Sequence, residues 1–344
     1  MKAVALTGIR QMKMIDVPEP SIKDDSDVLL KVEMVGVCGS DVHYYEIGRI
    51  GSEVVEYPFI LGHECAAIVK AVGGAVTHVK VGDRVAVEPA IVCHDCDQCK
   101  QGRENTCRNL KFLGCPGQVQ GCLCEYIVMP EDSCFPVGDK LTFAQAVLCE
   151  PLAITIYAVK QAHLREGSDI AILGAGPIGL SCLISARVEN AKSCYVTEKV
   201  KERVEVAANS GATWVGNPNE EDIVKAILEQ QPAGLDVVFE CAGQQETLDH
   251  GVELLKPGGK LMLIGIPRVE RISFVIEKMR RREITLVNVR RQNKCTQRCI
   301  DLIAAGKIDV DFMATHRFKL EQSQDAFDMV AGYRDGVVKA MIEL

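Results

Sequence analysis

One short run, 169-DIAILGAGPIG-179, constrains this chain more than any other: an apolar strand leads directly into G-x-G-x-x-G, and an apolar helical pattern follows. Glycines at 174, 176 and 179 let the chain turn tightly, let backbone N–H groups approach a pyrophosphate, and let the helix pack on the strand. Pro177 and Ile178 open the helix, whose N-terminus offers free donors and the positive end of its dipole to an anion. Glu198 closes the next strand-like run, 193-SCYVTE-198, nineteen residues after the last glycine. An acid there accepts hydrogen bonds from ribose hydroxyls and repels a 2′-phosphate, so the context predicts NAD rather than NADP. Lys199 and Arg203 lie close by and soften that exclusion.

The same alternation continues downstream, with strand patterns at 235–240 and 260–264 and helical patterns at 201–209, 220–230 and 245–255. Strands spaced by helices imply βαβ units and a parallel sheet. Residues 1 to about 150 differ. They are rich in valine and glycine, with short runs at 28–35, 66–72 and 84–88 cut by Gly, Pro and Asp, the texture of irregular β structure. After about residue 285 the regular alternation stops, and the tail is expected to return to the first domain. A chain of 344 residues is long enough for two cores.

Sixteen cysteines in so long a chain read as metal ligands and buried thiols rather than a disulfide framework. Cys93, Cys96, Cys99 and Cys107 form C-x2-C-x2-C-x7-C in a polar loop with no helical period, a spacing that wraps four thiolates around one tetrahedral Zn²⁺ and leaves no place for water. An iron–sulfur cluster also uses four thiolates, so this spacing alone leaves the metal open. His94 is a poor competitor for a complete set of four.

The net charge of -8, from 39 basic and 47 acidic residues, argues against a general nucleic-acid or anionic-membrane surface. The basic stretch 278-KMRRREITLVNVRRQNK-294 reads first as a strand with solvated charged flanks. The uncharged run 170–186 is interrupted by three glycines and Pro177, as suits a buried strand–turn–helix better than a membrane span. The first twenty residues lack an apolar leader and a cleavage site, so a cytoplasmic protein is expected.

The stretch 35-VGVCGSDVHYYEIGRIGSEVVEYPFILGHE-64 holds Cys38, His63 and Glu64, three ordinary zinc-ligand types, although a lone Cys and a distant His are more often a buried thiol and a satisfied histidine. The runs 38-CGSDVH-43, 62-GHE-64, 82-GDRV-85, the four-cysteine loop, 150-EP-151 and 174-GAGPIG-179 resemble the zinc-dependent medium-chain alcohol dehydrogenases in order and spacing. The segments 38-CGSDVHYYEIGRIG-51, 149-CEPLAI-154 and 314-ATHRFKLEQSQDAF-327 resemble the sorbitol (polyol) dehydrogenase branch of that family.

The resemblance implies an α/β chain with two domains: an irregular, β-rich GroES-like zinc-binding domain from 1–151 and 289–344, and a Rossmann NAD-binding domain from 152–288. It implies two zinc ions, one structural and one catalytic. Cys38, His63 and Glu64 would hold the catalytic ion, with Glu150 as a direct or water-mediated fourth partner. Ser40, His43 and Glu150 match the family's proton relay, and Tyr44, Glu150 and Arg290 its polyol contacts, whereas Tyr45 and Tyr57 fall to packing. Arg291 stands where sorbitol enzymes often carry tyrosine, a departure that bears on the exact substrate. The implied reaction is hydride transfer from a secondary hydroxyl of a polyol of the sorbitol, xylitol, galactitol or arabinitol type to NAD, giving the ketose. A threonine-type or other small-alcohol dehydrogenase is the alternative, and a non-catalytic zinc- and nucleotide-binding protein the remote one. A small-molecule substrate, no nucleic acid or membrane partner, and a homo-oligomer (tetramer or dimer) complete the expectation.

Overall fold

The computed structural model describes all 344 residues, which divide into two units. The first comprises Met1–Glu150, Thr296–Gly306 and Val310–Leu344, and the second Pro151–Cys295 and Lys307–Asp309.

The first unit is built on a seven-stranded mixed sheet whose central strand is Asp27–Gly36. Val28, Leu30 and Val32 on that strand are fully buried and alternate with partly exposed residues, the period of two expected of a strand covered more heavily on one face. Its antiparallel neighbours are Glu64–Val72 and, at the other side, Lys339–Glu343, and the registers place Gly36 opposite Glu64 and opposite Met341. A three-stranded sheet, Gln11–Asp16, Lys2–Gly8 and Phe59–Ile60, packs around the same core, and two short two-stranded ribbons accompany it.

Besides a four-residue helix in the cysteine loop, Asp97–Lys100, two longer helices interrupt the irregular β texture expected over the first 150 residues. Gly39–Ile47 buries Asp41, Val42, Tyr44 and Tyr45, and ends at Gly48 in the left-handed region with φ 70°. Its buried positions 41, 44 and 45 do follow helical spacing, but the first is an acid, which broke the apolar period in the sequence. The second helix, Phe143–Ala162, carries Pro151 in its interior, where proline ordinarily argues for a boundary. It is long and apolar enough to cross a membrane, yet 72% of its most apolar window lies buried inside the protein, as in a core helix.

The second unit holds a six-stranded sheet in which every neighbouring pair is parallel. Numbered along the chain from Asp169–Leu173, the strands lie in the order 3-2-1-4-5-6, the doubly wound Rossmann arrangement. The near-continuous apolar strands Ile170–Leu173 and Val237–Phe239 are buried because helices such as Pro177–Val188 and Gln245–Leu254 cover the sheet. The fifth strand, Leu255–Leu263, begins five residues earlier than its apolar pattern, since 256-KPGG-259 reads as a turn but here continues the strand through a register irregularity. The basic stretch is a helix, Ile276–Arg282, followed by the edge strand Thr285–Asn288. Arg280 and Arg281 pair with Glu277, and Arg282 donates to the carbonyls of Val252, Glu253 and Leu255.

Candidate metal and cofactor sites

Strand register assembles the first site. Gly36 lies opposite Glu64, the chain then runs through Val37 to Cys38, and Cys38 is the extended N-cap of the helix Gly39–Ile47. Gly62 precedes His63 with φ 95°, a conformation in which side chains are strained, and a Cβ there would also press on Cys122 Sγ at 3.1 Å. Gly36 is equally constrained, since a Cβ would fall 2.5 Å from a Glu64 carboxylate oxygen. The result is that ligand atoms of Cys38, His63 and Glu64 all lie within 4.8 Å of one another.

Each of the three has a neighbour that orients it. Asp41, fully buried, presents Oδ1 to His63 Nδ1 at 3.2 Å and accepts from the Gly62 N–H at 3.4 Å. This leaves Nε2 of the imidazole for other work. Burial pulls the His63 pKa down, but the charge of Asp41 and then of Cys38 outweighs it, so the ring is held well above its ordinary value. Ser40 Oγ donates to Cys38 Sγ at 3.3 Å. The two oxygens of Glu64 accept from Lys339 Nζ at 2.8 and 2.7 Å. Thiolate, imidazole and carboxylate are together a donor set that suits Zn²⁺.

Glu150 is buried on the helix Phe143–Ala162, and its charge acts on Lys339, as does that of Cys38. Tyr44 is buried too, with its hydroxyl 3.8 Å from Cys115 Sγ and its pKa raised by burial. His43 is half-buried on the same helix as Ser40 and Asp41. Tyr45 packs on Phe327 and donates to Asp328. Tyr57, expected to pack, is instead 41% exposed, because it sits on a surface turn beside Gly48.

The four cysteines of the polar loop form a second cluster with all ligand atoms within 4.8 Å. The Sγ separations Cys93–Cys107, Cys96–Cys99 and Cys96–Cys107 are 3.4, 3.6 and 3.9 Å. A tetrahedron with Zn–S bonds of about 2.3 Å has edges of roughly 3.8 Å, so the cluster fits the ion. Backbone N–H groups of Asp95 and Cys96 aim at Cys93 and bring its pKa down to about 6, whereas burial lifts Cys99 to about 12. His94 turns away to Asp132, 2.6 Å from its Nε2.

In the second unit Gly174 has φ 102°, and a Cβ on Gly179 would lie 1.8 Å from the Gly174 carbonyl oxygen. Only glycine lets the helix start so close under the strand end. Glu198 is bound into this turn: Oε2 accepts from the Ala175 N–H, and Oε1 from those of Lys199 and Val200, each at 2.8 Å. Arg203 is buried, with its Nη1 3.7 Å from where a Gly176 Cβ would stand. Arg290 is exposed just beyond the edge strand.

Comparison with known proteins matches the chain to one lineage. The alcohol dehydrogenase GroES-like domain matches residues 24–139, and the zinc-binding dehydrogenase domain matches residues 177–305. The chain is 39% identical over 343 residues to sorbitol dehydrogenase of Bacillus subtilis, covering 99% of this chain and 97% of that protein. The chain belongs to the zinc-binding alcohol dehydrogenase family. It is also 35% identical over 331 residues to D-xylulose reductase A of Aspergillus oryzae, covering 94% of this chain and 92% of that one. Among solved structures, a zinc-binding dehydrogenase from Sinorhizobium meliloti bound to NADP is 32% identical with a TM-score of 0.90, covering 100% of this chain and 99% of that chain.

Within this dehydrogenase, two site residues escaped the sequence reading. Asp41 sits inside the quoted run 38-CGSDVH-43, three residues after Cys38, and its signal was an acid on the buried side of a helix. Lys339 gave no signal, because lysine is almost never fully buried and nothing local marks this one. Asp41→Asn keeps an acceptor for His63 but removes the charge. The zinc affinity of the Cys38–His63–Glu64 site is expected to fall by about 10- to 100-fold while the four-cysteine site keeps its metal, measured by competition with a chelator.

Proposed function

We propose that this dehydrogenase oxidises a secondary hydroxyl of a polyol of the sorbitol, xylitol, galactitol or arabinitol type to the ketose, with NAD as hydride acceptor. The observation that carries the proposal is the convergence of Cys38, His63 and Glu64 within 4.8 Å, a carboxylate standing beside one thiolate and one imidazole. It is supported by the likeness to sorbitol dehydrogenase along nearly the whole chain. Bound there, Zn²⁺ supplies a Lewis acid that lowers the pKa of a substrate hydroxyl.

The chain's own residues do the rest. Asp41 holds the His63 ring with Nδ1 occupied, so that Nε2 is the ligand nitrogen. Ser40, already at the Cys38 thiol, and His43 on the same helix are the candidates for passing the substrate proton outward, with Glu150 as a further acceptor. Tyr44 and Glu150 are assigned to the remaining hydroxyls of the polyol, each of which would cost on the order of 1 to 3 kcal/mol if buried unpaired. Cys93, Cys96, Cys99 and Cys107 are assigned to a structural zinc.

The glycine turn at 174–179 and the N-terminus of the helix Pro177–Val188 suit the cofactor pyrophosphate. Glu198 favours NAD by its charge, although three backbone N–H groups already share that charge. The preference should therefore be graded rather than absolute.

A substrate panel read in parallel with NAD and NADP tests all of this. NADH formation from at least one of the four polyols is expected, with kcat/KM for NAD above that for NADP by about tenfold or more. Activity confined to threonine or butanediol would move the protein to the small-alcohol reading. No turnover of any alcohol, in a chain holding one zinc, would leave only a binding protein.

A further inference from the structure

Lys339 has no place in the ligand set above, yet it is the most deeply engaged charge beside it. Its Nζ meets three acceptors, both oxygens of Glu64 and the Val37 carbonyl at 3.2 Å, one for each ammonium proton. The Lys339 and Glu64 side chains are each 1% exposed, so neither water nor salt screens the pair. Backbone bonds fix the lysine in place: the Val37 N–H donates to the Ala340 carbonyl, and Met341 lies opposite Gly36. Gly36 closes the remaining space around the carboxylate. Glu64 therefore has little freedom to leave its partner.

We propose that Lys339 is a positioning residue that shares Glu64 with the metal, holding both carboxylate oxygens in place and drawing on their charge, so that the ion binds less tightly and stays more electrophilic. The proposal rests on Cys38, His63 and Glu64 being the ligands. Two cations on one buried anion weaken each other's binding, and the coupling is reciprocal. A purely structural ion pair predicts the opposite sign, because losing it would loosen the strand ends that carry the ligands.

Zinc release from the full-length, zinc-loaded enzyme to a chromogenic chelator separates the two, with the phase belonging to the Cys38 site identified as the one missing from His63→Ala. Lys339→Met is expected to slow that phase by about tenfold or more and to lower kcat, leaving the four-cysteine phase unchanged. Lys339→Arg, which keeps the charge, should restore the native release rate. The Co²⁺-loaded enzyme reports the same change as a shift of its visible d–d bands in Lys339→Met and a return in Lys339→Arg. Should Lys339→Met fail to fold, Lys339→Gln keeps a donor for Glu64 without the charge, and slower release is again expected. Release that is unchanged or faster in a folded neutral variant overturns the proposal. A wild-type enzyme showing only the four-cysteine phase would instead remove the ligand assignment, and Lys339's role with it, before any variant is compared.

Discussion

His63→Ala is expected to lower kcat on the preferred alcohol by about a thousandfold or more, since on the proposed ligand assignment it would remove a Lewis acid worth several kcal/mol of charge stabilisation. On the proposed assignment of two zinc sites, bound zinc should fall from two ions per chain to one, the survivor being that of Cys93, Cys96, Cys99 and Cys107. A thermal penalty should accompany the loss. Asp41 is fully buried and would keep only its long contact from the Gly62 N–H, which leaves most of a buried carboxylate unpaired at a cost of about 1 to 3 kcal/mol. His63→Gln, which offers Asp41 an amide donor, should recover part of that stability and none of the activity. Metal content, melting temperature and kcat measured on both variants check the prediction. Full activity with one zinc fewer would show that the Cys38 site is not the catalytic one.

Gly179→Ala should do comparable damage in the other unit by a different route. An added methyl would sit 1.8 Å from the Gly174 carbonyl oxygen, 2.9 Å from its carbon and 3.3 Å from Ile172. Both of the closest atoms are backbone, so no side chain can swing aside to relieve the clash. The helix Pro177–Val188 must move off the strand Asp169–Leu173, and the loss of stability should be on the order of 4 kcal/mol or more. The same shift pulls the N–H groups of the turn out of line for a pyrophosphate, so cofactor affinity should fall with it. Gly176→Ala is the control. A Cβ there meets nothing nearer than Arg203 Nη1 at 3.7 Å, in a backbone conformation with φ −71°, so the stability loss should be small, while cofactor affinity should still fall because the methyl stands where the pyrophosphate approaches the backbone. Calorimetry and NADH fluorescence titration give the two readouts. Equal thermal stability of the two variants would mean that the turn relaxes more readily than its packing indicates.

Much of the Rossmann unit was legible before any coordinates, because each βαβ step writes its period locally: apolar strand, glycine turn, amphipathic helix. The exceptions have local causes as well. The early start of Leu255–Leu263 was hidden by a Pro-Gly-Gly that reads as a turn, and the helix Phe143–Ala162 by its internal Pro151. In the first unit the helix Gly39–Ile47 was masked by Asp41, a buried acid on what would otherwise read as an apolar face. Tyr57 illustrates the reverse error, since an aromatic assigned to packing stands on an exposed turn.

What the sequence determined by itself was the chemistry that short spacing can encode. Four thiols within fifteen residues and three glycines within six have few other ways to fold usefully, so the thiolate cluster and the dinucleotide turn were readable as motifs. Only the tertiary structure decided how the Cys38–His63–Glu64 cluster is wired. Asp41 reaches His63 across 22 positions, and Lys339 reaches Glu64 across 275, because antiparallel register sets the strand Lys339–Glu343 beside Asp27–Gly36 and that strand beside Glu64–Val72. Charge compensation in a buried site depends on distances of a few ångströms between remote segments, and no local pattern in a chain records them.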